Sequence, residues 1–192
     1  MANVAYPQRA PGGMLRVLVL GGSQGASVFS DVLPKAMALL EEPLRARIRL
    51  DQQCRERELE GVRTAYQALG MQVDLAPFFA DVGARLAAAH LVICRAGAST
   101  VAELMVAKRP ALLVPLPGAV DNHQYFNALA IHDAGAGWLL SQPEFTPQAV
   151  ADRLRALLHD PQPMVHASAV MGSLAVEDAA AVLAKIVCAA AR

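Results

Sequence analysis

The chain has 192 residues, of which 55% are hydrophobic, and its 17 Lys and Arg balance 17 Asp and Glu. That composition argues for one sizeable domain with a real core and against disorder, and zero net charge argues against a nucleic-acid partner. The cysteines Cys54, Cys94 and Cys188 are far apart and odd in number, with no CxxC or HExxH, so neither a disulfide framework nor a zinc site is indicated and a reducing cytoplasm fits best. No apolar run reaches membrane-spanning length, and the N-terminus lacks a signal-peptide layout.

Residues 1–13 read as a linker remnant punctuated by Pro7, Pro11, Gly12 and Gly13, and residues 14–192 as the domain. A buried-strand run, residues 16–20, ends at Gly21-Gly22-Ser23-Gln24-Gly25-Ala26. The helix that follows is expected to place Val28, Val32, Ala36 and Leu39-Leu40 near one face. A second strand is expected over residues 47–51. The charged segment 55–63 starts a helix ending near Gly70, and its mixed charge reads as a solvated face. Val73-Asp74-Leu75 forms a third strand, ending at Pro77-Phe78-Phe79, with Phe78 expected in the core. A short helix covers residues 81–89. Leu91-Val92-Ile93-Cys94 then feeds Arg95-Ala96-Gly97-Ala98-Ser99-Thr100-Val101-Ala102-Glu103, a loop and helix that Arg109-Pro110 closes.

Residues 111–115 form a fifth strand. A helix over residues 122–133 is expected to have Asp121 as its cap, Gly135 as its stop, and Phe126, Leu129 and Ala130 toward the core. A short sixth strand covers residues 137–140. Thr146-Pro147 reads as the N-cap and first position of the next helix, and two more helical stretches finish the chain, the last over 176–190. Continuous apolar strands alternating with helices imply an α/β, doubly wound Rossmann-like parallel sheet of about six strands, in the default order 3-2-1-4-5-6. Ligands then belong at the carboxyl ends of strands one and four, which carry Gly21-Gly22-Ser23 and residues 95–100.

Two candidate motifs fall at those strand ends, and a third lies at the start of a later helix. Gly22, Gly25 and Ser23 suit a phosphate cradle. As a dinucleotide fingerprint the loop is defective, because Leu20 stands at the first glycine position; Asp51 would be the ribose acid in that reading. Gly21-Gly22-Ser23-Gln24-Gly25 also matches the GxSxG of a serine hydrolase, with Asp121 and His159 in the required order, but too few elements precede it to build the oxyanion hole. The helix start at Ser99-Thr100 suits an anion, and Glu103 suits sugar hydroxyls; a capping box joining Ser99 or Thr100 to Glu103 is the bland alternative. Arg95 meets either a phosphate or a helix-end carbonyl. His123, Gln124 and Asn127 can share one side of a helix's first turn. No Asp-x-Asp metal clamp occurs, so helix N-termini and hydroxyls would have to meet a diphosphate's charge.

Taken together, Gly21-Gly22-Ser23-Gln24-Gly25, Phe78-Phe79-Ala80-Asp81-Val82, residues 95–103 and Asp121-Asn122-His123-Gln124-Tyr125-Phe126-Asn127-Ala128 resemble the MurG family of glycosyltransferases over residues 15–140. The resemblance implies the C-terminal, donor-binding half of a two-domain GT-B enzyme. Such enzymes transfer N-acetylglucosamine from UDP-GlcNAc to a lipid-linked muramoyl-pentapeptide in peptidoglycan synthesis, at the inner face of the cell membrane. It implies no cofactor, no essential metal, and a catalytic base in the other domain, which also binds the acceptor. It further implies that Ser23 and Gln24 approach the diphosphate and Phe79 offers its backbone to uracil. Ala98, Ser99, Thr100 and Val101 cover the diphosphate, Glu103 holds the ribose, and Gln124 and Asn127, with His123, face the sugar. A donor subunit of a two-chain transferase is an alternative organisation. Lys108, where a glycine is common, and the tail after Met164 depart from the family pattern.

Overall fold

The structure is a computed structural model that describes residues 5–10, 12–22 and 25–175. Ser23, Gln24, Cys188 and the helix expected over residues 176–190 lie outside the described residues. The elements run β1 (Leu15–Leu20), α1 (Ser27–Ala38), α2 (Glu42–Arg45), β2 (Ile48–Gln53), α3 (Leu59–Gln67), β3 (Val73–Ala76), α4 (Val82–Ala88) and β4 (Leu91–Cys94). They continue with α5 (Ala98–Ala107), β5 (Ala111–Leu113), α6 (His123–Asp133), β6 (Gly137–Leu139), α7 (Pro147–His159) and α8 (Gln162–Ser173). All pairings are parallel, and the strand order is β3-β2-β1-β4-β5-β6, as the alternation of strands and helices predicts.

The two faces of the sheet make two cores. Leu15, Val17 and Val19 of β1 join Leu91 and Ile93 of β4 under Phe29, Leu33 and Met37 of α1, with Leu154 and Leu157 of α7. Leu18, Leu20, Val92 and Cys94 face the other way, onto Leu86, Leu104, Ala128, Ile131 and Met171. Alternation within continuously apolar strands is what a sheet covered on both sides requires. The buried stripe of α1 is Phe29, Leu33, Ala36 and Met37, so the expected face through Val28 and Val32 is displaced, and Leu39 is exposed.

Local signals set several ends. Thr146 caps α7, its hydroxyl accepting from the Ala149 N–H at 3.2 Å, with Pro147 first in the helix. Lys108 ends α5 at φ 57°, the left-handed position that favours glycine at helix C-termini, which accounts for glycine being common there. Asp121 is not the cap of α6. It has φ 50° inside a 3-10 turn, Val120–Asn122, and Asn122 follows at φ 52° with no side-chain cap bond.

Residues 5–10 have no regular secondary structure but are pinned to the domain. The Tyr6 hydroxyl donates to the His90 carbonyl at 3.1 Å, and Arg9 donates to the carbonyls of Leu157 and Leu158. The buried Arg109 donates to the carbonyls of Ala5, Leu86 and Ala87. Leu86 and Ala87 sit at the C-terminal end of α4, the negative end of a helix, so a cation can be buried there without a carboxylate.

Candidate functional site

β1 and β4 lie side by side with Leu20 opposite Cys94, so the loops after them leave the same end of the sheet. Their helices go to opposite faces, because the strand order reverses between them. Open α/β sheets bind ligands at such a switch point. Neither helix start there has a side-chain cap bond or an acid in its own first turn, α1 beginning after Ala26 and α5 after Gly97.

At α5 the Val101 N–H donates to the Gly97 carbonyl at 2.9 Å and the Val101 side chain is buried, so Val101 has the least to offer a ligand. Ala98 and Ser99 are exposed and Thr100 half-buried. The capping-box alternative fails, since neither serine, threonine nor Glu103 makes a cap bond. Glu103 is exposed and has no hydrogen bond or ion pair among the described residues. Arg95 meets carbonyls, but after a strand rather than at a helix end: it donates to Val114 O and Pro115 O, each at 3.0 Å, and to Gln142 Oε1 at 2.7 Å. Burial alone lowers its pKa, and its fork braces the end of β5 rather than meeting an anion.

The glycine loop is built by close approach. A Cβ on Gly21 would stand 2.6 Å from Ala26 N, and Gly22 and Gly25 have φ of 78° and 64°. Three residues outside the sequence motifs hold this loop and the helix after it. Gln53, at the carboxyl end of β2, accepts from Gly21 N–H at 3.1 Å and donates to Pro77 O at 3.0 Å, tying the loops after β1 and β3 together. Arg55 donates to Ser27 Oγ at 2.8 Å and to Gly25 O at 3.3 Å, while Glu58 accepts from Ser27 at 2.5 Å and Ser30 at 2.7 Å. Burial pushes the Glu58 carboxyl up, but the two serine hydroxyls and the neighbouring arginines outweigh it and hold the group below the usual carboxylate range. Glu56, Arg57, Glu60 and Arg63 are exposed, as a solvated face requires, while Arg55 and Glu58 of the same segment pin α1. The signal was the polar pair Gln52-Gln53 at a strand end, but it names no partner.

After β3 the two phenylalanines are the reverse of the expectation for Phe78. Phe78 is 73% exposed, whereas the Phe79 ring is buried beside Leu86. The main-chain N–H and C=O of Phe79 have no hydrogen bond among the described residues.

The inward side of α6 is also corrected. Ala128 and Ile131 enter the core and Phe126 is 60% exposed, because both sides of this helix are apolar and the 3.6-residue period cannot choose between them. Gln124 and Asn127 turn toward the loop after β4. Gln124 Oε1 accepts from Leu116 N–H at 3.0 Å and Ala96 N–H at 3.3 Å, and Asn127 Nδ2 donates to Ala96 O at 3.0 Å. These bonds bring the start of α6 against the start of α5 and leave Gln124 Nε2 and Asn127 Oδ1 without a partner among the described residues. His123 is exposed with Nδ1 2.8 Å from Val120 O, so Nδ1 carries the proton and Nε2 of the neutral ring is an acceptor.

The rival chemistries lose their partners. Asp51 pairs with Arg85 at 3.0 Å and lies opposite Leu18, within the sheet rather than at its ligand end, so it is not a ribose acid. His159 follows Leu158, whose carbonyl is held by Arg47 just before β2; it is at the strand-start end, away from Asp121, so the His and Asp of the hydrolase reading are not brought together. No group of three His, Cys, Asp or Glu suited to a metal ion occurs among the described residues, nor does a helix long and apolar enough to cross a membrane. A concavity of about 610 Å³ lies by Met14, Arg45 and Met71, near the starts of β1 and β2 and ahead of β3, away from both helix starts.

Residues 16–183 match the model of the glycosyltransferase family 28 C-terminal domain. The UDP-N-acetylglucosamine--N-acetylmuramyl-(pentapeptide) pyrophosphoryl-undecaprenol N-acetylglucosamine transferase of Rhodospirillum centenum is 53% identical over 186 residues, covering 97% of this chain and 49% of the relative. The same-named protein of Paramagnetospirillum magneticum is 53% identical over 185 residues, covering 96% and 50%. The crystal structure of Acinetobacter baumannii MurG superposes with a TM-score of 0.83 at 30% identity, over 94% of this chain and 53% of that one. The chain thus spans about half the length of the curated relatives it matches.

Proposed function

Since the chain belongs to the glycosyltransferase family 28 C-terminal domain family, we propose that it is the donor-binding half of a GT-B enzyme that moves N-acetylglucosamine from UDP-GlcNAc to a lipid-linked muramoyl-pentapeptide. The observation that carries this reading is the uncapped start of α5 at the β1/β4 switch point, with no acid in its first turn, beside the glycine loop and with Glu103 exposed further into the helix. The unpaired N–H groups of Ala98, Ser99 and Thr100, with Ser23 and Gln24 of the glycine loop, receive the diphosphate. The carboxylate of Glu103 accepts from the ribose hydroxyls, and the free main-chain groups of Phe79 read uracil. Gln124 Nε2, Asn127 Oδ1 and His123 Nε2 meet the sugar.

In the reaction a base of the other half deprotonates the acceptor hydroxyl, which attacks the anomeric carbon as UDP departs toward the helix starts. Preorganised N–H dipoles stabilise the charge that grows on the leaving diphosphate, so no metal or cofactor is assigned to the step. The acceptor named for the relatives carries an undecaprenol chain, which supports work at the inner membrane face. This half binds donor without turning it over.

Thermal shift against UDP-GlcNAc, UDP, UDP-glucose and NAD tests the reading. UDP-GlcNAc and UDP should raise the melting temperature and NAD should not; protection by NAD alone would refute it. Robust UDP release on adding donor and acceptor lipid to this chain would refute the division of labour.

A further inference from the structure

The loop that carries Phe79 is held by a charge cluster none of the site residues belongs to. Arg85, at the middle of α4, pairs with Asp74 at 2.7 Å, Asp51 at 3.0 Å and Asp81 at 2.8 Å. Asp51 and Asp74 are register partners on β2 and β3, and Asp81 immediately precedes α4. The carboxylates therefore bracket residues 77–80, the Asp51–Asp74 pair on the strand side and Asp81 alone on the helix side. The same guanidinium lies over the Phe79 ring, 4.0 Å from its centroid, and so closes the exposed side of a ring whose other side is in the core. Singly such pairs, with Asp74 and Asp81 about half exposed, are worth little. Jointly they set a geometry, since Phe78 and Phe79 have no main-chain hydrogen bond among the described residues to set it for them. On the opposite flank Gln53 holds Pro77 O.

We infer that Arg85 is a positioning residue for base recognition: by clamping the Phe79 ring and bracketing its loop with Asp51, Asp74 and Asp81, it presets the main-chain groups that read the pyrimidine. The inference rests on the donor-site reading above. A loop fixed before binding spares the ligand the cost of ordering it. Removing the guanidinium leaves three carboxylates facing one another around an unclamped ring, so the loop should loosen while the helix starts, held by other residues, keep their grip on phosphate.

The test is calorimetric titration of the 192-residue chain with UDP, CDP and inorganic pyrophosphate, in the wild type, Arg85→Met, Arg85→Lys and Asp81→Asn. The wild type should prefer UDP to CDP. Arg85→Met should cut that preference about tenfold and leave pyrophosphate affinity within about twofold, a split equal to ~1.4 kcal/mol; Arg85→Lys should restore part of it. Asp81 makes no cap bond to α4, so Asp81→Asn should fall between, and it decides the matter if Arg85→Met does not fold. A UDP preference that survives Arg85→Met and Asp81→Asn, or UDP and pyrophosphate weakening together, overturns the inference alone. A wild type without UDP preference overturns the donor-site reading and the inference with it.

Discussion

Replacing Glu103 with alanine separates a ligand-binding carboxylate from a structural one. Glu103 is exposed and makes no cap bond, hydrogen bond or ion pair among the described residues. Its removal should change stability by no more than about 0.5 kcal/mol, with alanine's better helix propensity returning a few tenths. Binding is different. A charge-assisted hydrogen bond contributes about 1.5–3 kcal/mol net. Solvent at an exposed site keeps the carboxylate–diol pair near the lower end.

Against that stands repulsion between the carboxylate and the diphosphate. Five residues beyond Ala98 is about 7.5 Å along the helix axis, where two unit charges in water repel by roughly 0.6 kcal/mol before salt screening. The hydrogen bonds win, and Glu103→Ala should weaken UDP binding by about 1–2 kcal/mol, or roughly 5- to 30-fold. Titration calorimetry with UDP reads the affinity and urea unfolding reads the stability on the same preparations. A variant that unfolds readily yet binds UDP with unchanged affinity per folded molecule would refute the reasoning and return Glu103 to the helix frame.

Two further outcomes test the frame. His90 is buried with Nδ1 accepting from Arg16 N–H at 2.9 Å, and burial, then the nearby Arg9, Arg16 and Arg109, lowers its pKa from 6.5 to about 4. The unfolded chain therefore binds the proton more readily. Stability should be full above pH 6.5 and fall by up to ~3 kcal/mol as pH drops through 4, and His90→Asn, whose amide oxygen can take the same N–H, should flatten that fall in urea midpoints measured across pH. Arg109→Ala strips the carbonyls of Ala5, Leu86 and Ala87 of their donor and empties a buried site. It should cost about 3–4 kcal/mol in urea unfolding and make residues 5–10 an early site of limited proteolysis; an unchanged midpoint would refute the anchoring role.

What the sequence determined by itself was what short-range physics decides. Strand–helix alternation and uninterrupted apolar strands implied a doubly wound sheet and its order, and the sheet has that order. The glycine loop and the start of α5 were legible because a tight turn and an uncapped helix start are properties of a few adjacent residues. Thr146-Pro147 was legible for the same reason.

Only the tertiary structure decided which side of each element faces what. Phe78 and Phe79 are adjacent and chemically identical, and only the sheet and Arg85 choose Phe79 for burial. The inward side of α6 is set by Ala96, 28 and 31 residues away from Gln124 and Asn127. Arg55 reads as part of a solvated face, Arg95 as a ligand of either a phosphate or a carbonyl, and nothing in the sequence singles out Arg85. Their partners Gly25, Asp51 and Val114 come from other elements, and a guanidinium's role is decided by whichever carbonyl or carboxylate the fold carries within its reach.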